Sequence, residues 1–191
     1  MGVVPTNPET IRGPWIEGFV LDRHILHSTL THYIGDQPQF DTVRTALGEL
    51  VFQFKNRGGP PDDIIATATE FIRRRWAQAI DCVTTVPPSI NRARQPGVLL
   101  AAGIGRALGI RFLSDVAVKA KPTAQMKNVA VHDRAALLNE AIQAGTTDVS
   151  GLSVLIVDDL WETGGTMRRT AEVVASRGAR QIRALAMTRT K

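Results

Sequence analysis

The residues best suited to chemistry form one block, Val154-Leu155-Ile156-Val157-Asp158-Asp159-Leu160-Trp161-Glu162-Thr163-Gly164-Gly165-Thr166. An apolar run ends in two adjacent carboxylates, and a Thr-Gly-Gly-Thr turn follows three residues later. Gly164 and Gly165 let the backbone curl so that successive N–H groups point into one concavity. Thr163 and Thr166 add hydroxyl donors, and the start of a following helix adds positive potential. Such a turn suits a phosphate. Asp158 and Asp159 cannot bind a phosphate directly, but they can accept hydrogen bonds from sugar hydroxyls and hold a hydrated magnesium ion. A ribose phosphate carrying further phosphates satisfies both halves of the block. Gly165 is expected to need positive φ close to that phosphate. A Walker A loop would require Lys after the final Gly, and a dinucleotide fingerprint would require G-x-G-x-x-G; neither is present. The plain alternative is a tight strand-to-helix turn whose carboxylates only cap.

The elements that must position this block follow from periodicity. Residues 1 to about 20 carry Pro5, Pro8, Gly13, Pro14 and Gly18 and read as an irregular leader, with Trp15 as a packing anchor. From Thr42 to Lys55, Val43, Leu47, Leu50, Val51 and Phe54 recur at helical steps with Asp41 placed as N-cap. Asn56-Arg57-Gly58-Gly59-Pro60-Pro61 ends that helix, and Asp62 or Asp63 caps a second one with Ile65, Ala68, Ile72 and Trp76 on a shared face and Arg73, Arg74 and Arg75 in its last turn. Ile80 to Val86 then reads as a strand and Val98 to Leu108 as a helix closed by Gly109. A short strand is expected near Ile110, a long basic loop from Lys119 to Asp133, and a helical run from Arg134 to Ala144. Leu152 to Val157 is a strand, Thr166 to Arg177 a helix closed by Gly178, and Gln181 to Thr188 a final strand. Alternating strands and helices imply a mainly parallel α/β sheet, whose ligands bind at the C-terminal ends of the strands.

Composition sets the outer limits. The 191 residues carry 23 Lys and Arg against 18 Asp and Glu, a net charge of +5, and are 43% hydrophobic, which suits one compact domain. Cys82 is the single cysteine, so no intrachain disulfide and no cysteine-based zinc ribbon can form. The longest run without Asp, Glu, Lys or Arg, His24 to Gly35, is far short of the roughly 20 apolar residues of a membrane span. No secretory signal opens the chain, and the acylation-like start Met1-Gly2-Val3-Val4-Pro5-Thr6 lacks a second anchoring signal, so a cytoplasmic protein is expected. The basic balance favours anionic partners, either nucleic acid or a phosphorylated small molecule. No helix-turn-helix or aromatic-basic signature supports the former.

The order strand, Asp-Asp, three residues, Thr-Gly-Gly-Thr closely resembles the phosphoribosyl diphosphate (PRPP) motif of type I phosphoribosyltransferases. Val86-Pro87-Pro88-Ser89 followed by Asn91-Arg92-Ala93-Arg94-Gln95 sits where that family has its pyrophosphate loop. The chain looks most like ComF-type competence proteins and related predicted amidophosphoribosyltransferases. Their Pro-containing loop, Arg-Gly segment, Thr-x-x-Gln loop and later Arg are approximated by Arg94, Thr123, Gln125 and Arg134, and Phe52-Gln53-Phe54-Lys55-Asn56-Arg57 is similar to a Leu-Lys-Tyr-Arg-like segment. Positions 94 to 97 read Arg-Gln-Pro-Gly where those relatives have an Arg-Gly-Phe-Asn-like run.

The resemblance implies an α/β fold, a type I phosphoribosyltransferase-like parallel sheet of about five strands flanked by helices, with an N-terminal leader and helical hood over residues 1–78 and a core over 79–191 that together make one unit. It implies PRPP and magnesium as ligands, a nitrogenous base or amine as acceptor, and a homodimer. It assigns Thr163, Gly164, Gly165 and Thr166 to the 5-phosphate, Asp158 and Asp159 to the ribose hydroxyls and, through water, the metal. Ser89, Arg94, Lys119 and Lys121 fall to the pyrophosphate, and Glu162 handles a proton of the acceptor. A PRPP-binding regulator without turnover uses the same motif.

Several of these residues have a second reading. Lys119 and Lys121 are either lid cations or solvated lysines, and Arg92, Arg94 and Arg134 either clamp phosphate or decorate the surface. Trp161 either stacks on an incoming ring or covers the helix start. Glu162 either contacts the acceptor or stabilises the helix N-terminus. His24, His27 and His32 lack a ligand pattern for a metal. Cys82, beside Val83 on a predicted strand, is expected to be inert.

Overall fold

The computed structural model describes residues 2–88, 94–120 and 141–190. Along the chain run β1 (Glu9–Thr10), β2 (Glu17–Arg23), β3 (His27–Ile34), β4 (Gln37–Val43), α1 (Ala46–Arg57), α2 (Asp62–Trp76), β5 (Cys82–Thr85), α3 (Pro96–Leu108), β6 (Arg111–Phe112), β7 (Ala117–Lys119), β8 (Ile142–Ala144), β9 (Ser153–Trp161), α4 (Gly165–Ser176) and β10 (Gln181–Arg189). The main sheet has six strands in the order β1-β2-β10-β9-β5-β6. Five of them, β2 through β6 in that order, are parallel, and β1 pairs antiparallel to β2 at one edge. Two separate ribbons, β3–β4 and β7–β8, complete the strands described.

The pleat divides the core. Leu155 and Val157 of β9 and Leu185 and Met187 of β10 point to the face covered by α1, α2 and α3, through Leu47, Val51, Phe54, Ile72, Leu100 and Ile104. Their neighbours Val154, Ile156, Ala184 and Ala186 point to the other face, where Met167, Ala171 and Val174 of α4 pack. A strand apolar on both sides is what a parallel sheet covered by helices demands. The N-terminal helices expected as a hood form this layer on the first face, and the C-terminal end of α1 reaches the top of the sheet.

Four local expectations are corrected. Residues 17–23 are not irregular: Glu17–Arg23 is a strand in parallel register with β10, Phe19 opposite Leu185 and Val20 opposite Ala186. Its glycine marks contact with an aromatic ring and no turn, since a Cβ on Gly18 would lie 2.3 Å from Nε1 of Trp15. Trp15 is the anchor expected of it, its Nε1 donating to the Ile11 carbonyl at 3.0 Å. The cap of α1 is Thr45, whose Oγ1 accepts from Gly48 N at 2.9 Å, because Asp41 is already paired with Thr29 in the β3–β4 ribbon. At α2, Pro61 holds the N-cap position without a side-chain cap, and Asp62 and Asp63 sit in the first turn, where they complement the helix dipole. Ile142–Ala144, expected at the end of a helix, pairs antiparallel with Ala117–Lys119, a register in which Ile142 is buried; Ala141 before it is helical, and positions 134–140 of that expected helix lie outside the described residues.

Candidate functional site

The connections from β5 and β9 diverge. After β5 the chain crosses through α3 on one face to β6, and after β9 it crosses through α4 on the other face to β10, on the opposite side of β9. A crevice must open between the C-terminal ends of two adjacent parallel strands whose connections part in this way. A cavity of about 360 Å³ lies there, walled by Pro87 and Pro88 after β5, Gln95 and Pro96 at the start of α3, Lys55 from α1 and residues 158–167. The part of the sequence block from Asp158 to Thr166 thus lines it.

The geometry of the turn explains its glycines. Gly164 adopts φ 75°, ψ 4°, the left-handed conformation, and stands as N-cap of α4. A Cβ there would lie 2.1 Å from a ring carbon of Trp161. Gly165, expected to carry the positive φ, opens the helix proper, so the left-handed residue is one position earlier. No side chain caps α4. The N–H groups of its first turn have no partner within the helix and stand at its positive end, beside the hydroxyls of Thr163 and Thr166, which is the donor arrangement an anionic oxygen requires.

The turn is braced from behind. Trp161 is buried and meets Trp15 edge to face at 6.1 Å, and the Arg168 guanidinium lies 5.3 Å over its ring. Arg168 also donates from Nη1 to the Thr163 carbonyl at 2.8 Å. The Trp161 ring therefore supports the turn by packing beneath Gly164.

The two carboxylates differ. Asp158 Oδ1 accepts from the backbone N–H of Asp159 at 2.9 Å. Burial, with the Asp159 charge beside it, pushes its carboxyl well above the usual carboxylate range. Asp159 Oδ2 instead meets the Lys55 ammonium at 2.9 Å. Beyond Asp159, Thr188 Oγ1 is 3.5 Å from its carbonyl and 3.1 Å from Nδ1 of His24. Burial, then the charges of Arg44 and Lys55, lower the pKa of His24 and so favour its neutral form.

Among the described residues no cluster of three or more metal-ligating side chains occurs, so a protein cage for a metal is absent there. Two adjacent carboxylates in an open crevice do fit magnesium, which keeps several waters and draws its remaining ligands from substrate phosphates.

Of the residues expected at the site, Asp158, Asp159, Glu162, Thr163, Gly164, Gly165 and Thr166 all line the cavity, Glu162 and Thr163 exposed on its rim. Arg94 and Lys119 are not part of this wall. The Arg94 guanidinium donates to the Gly59 carbonyl at 2.7 Å and lies 4.6 Å over the Phe54 ring, tying α3 to the α1–α2 turn. Lys119 sits half-buried in β7 opposite Ile142, and burial lowers its pKa. Ser89 and Lys121 lie outside the described residues, as do Arg92, Thr123, Gln125 and Arg134. Cys82 is fully buried and its thiol is pushed up to about 11, the inert group expected. The residue missed was Lys55. Its signal was the resemblance of the 52–57 segment and its place one step past Phe54, at the edge of the buried face of α1.

The crevice over the parallel sheet thus sets donors suited to an anionic oxygen beside two carboxylates that can accept from hydroxyl groups. The model of the phosphoribosyl transferase domain family matches residues 91–189, just over half of the sequence, and the chain belongs to that family, the type I phosphoribosyltransferases. Adenine phosphoribosyltransferase of Rhodococcus opacus (strain B4) is 38% identical over 87 residues, 45% of this chain and 48% of that protein. The enzyme of the same name from Rhodococcus jostii (strain RHA1) matches to the same extent. The chain therefore spans about half the length of the curated relatives it matches. Among solved structures, the glutamine phosphoribosylpyrophosphate (PRPP) amidotransferase from B. subtilis complexed with ADP and GMP aligns with a TM-score of 0.50 at 19% identity, covering 77% of this chain and 33% of that one, a likeness of fold. Among the described residues no helix is long and apolar enough to cross a membrane.

Proposed function

We propose that the protein binds PRPP with magnesium and transfers its phosphoribosyl group to a nitrogenous base or amine. The observation that carries this reading is the pairing, in one crevice, of an uncapped helix start behind a left-handed glycine with two carboxylates three residues upstream of the turn. The relatives from Rhodococcus, being adenine phosphoribosyltransferases, favour a purine base as acceptor.

In this reading Thr163 to Thr166 hold the 5-phosphate through backbone N–H groups and hydroxyls. Asp158 and Asp159 accept hydrogen bonds from the ribose hydroxyls and from water on magnesium, which would neutralise charge on the departing diphosphate. The bond from C1 to the diphosphate oxygen breaks and its electron pair leaves with the diphosphate. The acceptor nitrogen bonds C1 and gives up its proton, for which Glu162 on the rim is the carboxylate that the turn offers as a base. Fixed donors and charges of this kind act without reorganising during the reaction.

Calorimetry with PRPP and magnesium tests the reading. The wild-type protein is expected to bind, and the double variant Asp158→Asn, Asp159→Asn to lose several kcal/mol of affinity. Diphosphate release in the presence of adenine, hypoxanthine, guanine, glutamine or ammonia then identifies the acceptor. Unchanged affinity in the double variant removes the carboxylates from the site.

A further inference from the structure

We propose that Lys55, on the last turn of α1, receives the diphosphate of the sugar ligand and bridges it to Asp159. The proposal rests on the PRPP reading and names a residue from outside the motif. The described lining of the crevice holds three carboxylates, Asp158, Asp159 and Glu162, and one cationic side chain, Lys55. A ligand with a phosphate at one end and a diphosphate at the other meets three carboxylates here, and a fixed cation of the chain at the diphosphate end adds to the charge that magnesium would bring. The uncapped start of α4 supplies positive potential at the phosphate end. Helix α4 packs on one face of the sheet and α1 on the other, so the Lys55 ammonium faces the cradle across the tops of the strands, with Asp158 and Asp159 between them. This order, donors, carboxylates, cation, matches the order phosphate, ribose hydroxyls, diphosphate in the ligand.

Lys55 is held for such a role. Phe54 and Val51 are buried beneath it, and Gly58 closes the helix in the left-handed conformation at φ 72°. The negative end of the helix dipole stabilises a cation there. Its side chain is 26% exposed, so the ammonium is part of the wall and open to the crevice. An ammonium has three N–H donors, and the 2.9 Å contact with Asp159 uses one, leaving donors for a phosphoryl oxygen without breaking the ion pair. The cations expected for this task from the sequence, Arg94 and Lys119, are not part of the described wall.

The test compares two ligands on the full chain, PRPP and ribose 5-phosphate, each with magnesium, by calorimetry. Lys55→Met is expected to weaken PRPP binding by about 10- to 100-fold, the loss of one charge-assisted hydrogen bond. Ribose 5-phosphate, which lacks the diphosphate, should bind the variant as it binds wild type. Lys55→Arg, which keeps the charge, should recover most of the PRPP affinity. If Lys55→Met does not fold, Lys55→Gln gives the same comparison. Equal loss for both ligands would mean that Lys55 only orients Asp159 and would overturn the proposal, as would unchanged PRPP affinity or an arginine variant as weak as the methionine one. If wild type binds neither ligand, the PRPP reading itself fails and this inference falls with it.

Discussion

Gly164→Ala places one methyl group where two separate physical costs meet. The residue sits at φ 75°, a conformation that costs an L-residue about 1–2 kcal/mol. Its new Cβ would also lie 2.1 and 2.3 Å from carbons of the Trp161 ring, far inside contact distance. Trp161 cannot easily yield, since Trp15 and Arg168 hold it from two sides, and overpacking of this kind costs about 1–3 kcal/mol. The sum is about 2–5 kcal/mol, or a fall of roughly 4–20 °C in Tm for a domain of this size. Urea unfolding measures the cost, and a double-mutant cycle with Trp161→Ala separates its parts. In the Trp161→Ala background the clash is gone and Gly164→Ala should cost only the conformational share, about 1–2 kcal/mol. Additive costs across the cycle would refute the packing argument, and a stable Gly164→Ala protein with native ribose 5-phosphate affinity would refute the account of the turn altogether.

Glu162→Gln should greatly slow transfer, once an acceptor is found, while PRPP affinity by calorimetry stays near wild type; a change in affinity and melting temperature without a selective effect on transfer would make Glu162 a capping residue. Cys82 predicts a pH dependence. Its folded pKa of about 11 lies above that of an exposed thiol, so folding favours the protonated form. Its contribution is fully present below the unfolded value of about 8.5–9 and is lost as pH rises toward 11, and Cys82→Ala should flatten stability over that window when measured by urea titration.

How much could be read from the sequence depends on how local each feature is. The strand, the carboxylate pair and the Thr-Gly-Gly-Thr turn are contiguous, and their order alone dictates a strand end, a tight turn and a helix start. Lys55 becomes part of the site because Leu47, Val51 and Phe54 lay α1 against the sheet, a contact across about 100 positions that no local pattern carries. Residues 17–23 were hidden for the opposite reason: Gly13, Pro14 and Gly18 give a turn signal, but Gly13 and Gly18 are there to admit the Trp15 ring. At the turn itself two adjacent glycines are equivalent as letters, and the Trp161 ring decides that Gly164 takes the left-handed position. Ile142–Ala144 is three residues, too short for its period to separate helix from strand.

The same arrangement accounts for why the site is costly and still stable. Asp158 would titrate like an ordinary carboxylate in water, yet β9 carries it to a place where burial and Asp159 both oppose its charge. In the proposed reading a hydrated cation or a ribose hydroxyl would relieve that opposition. The expense is tolerable because β9 sits between β10 and β5, with Leu155 and Val157 sealed on one face and Val154 and Ile156 on the other. Burying each such side chain contributes about 1.5–3 kcal/mol. The strand that must hold unfavourable groups at its tip is therefore the one most firmly fixed along its length, and a chain that placed the same carboxylates on an edge strand would hold them less precisely for the same cost.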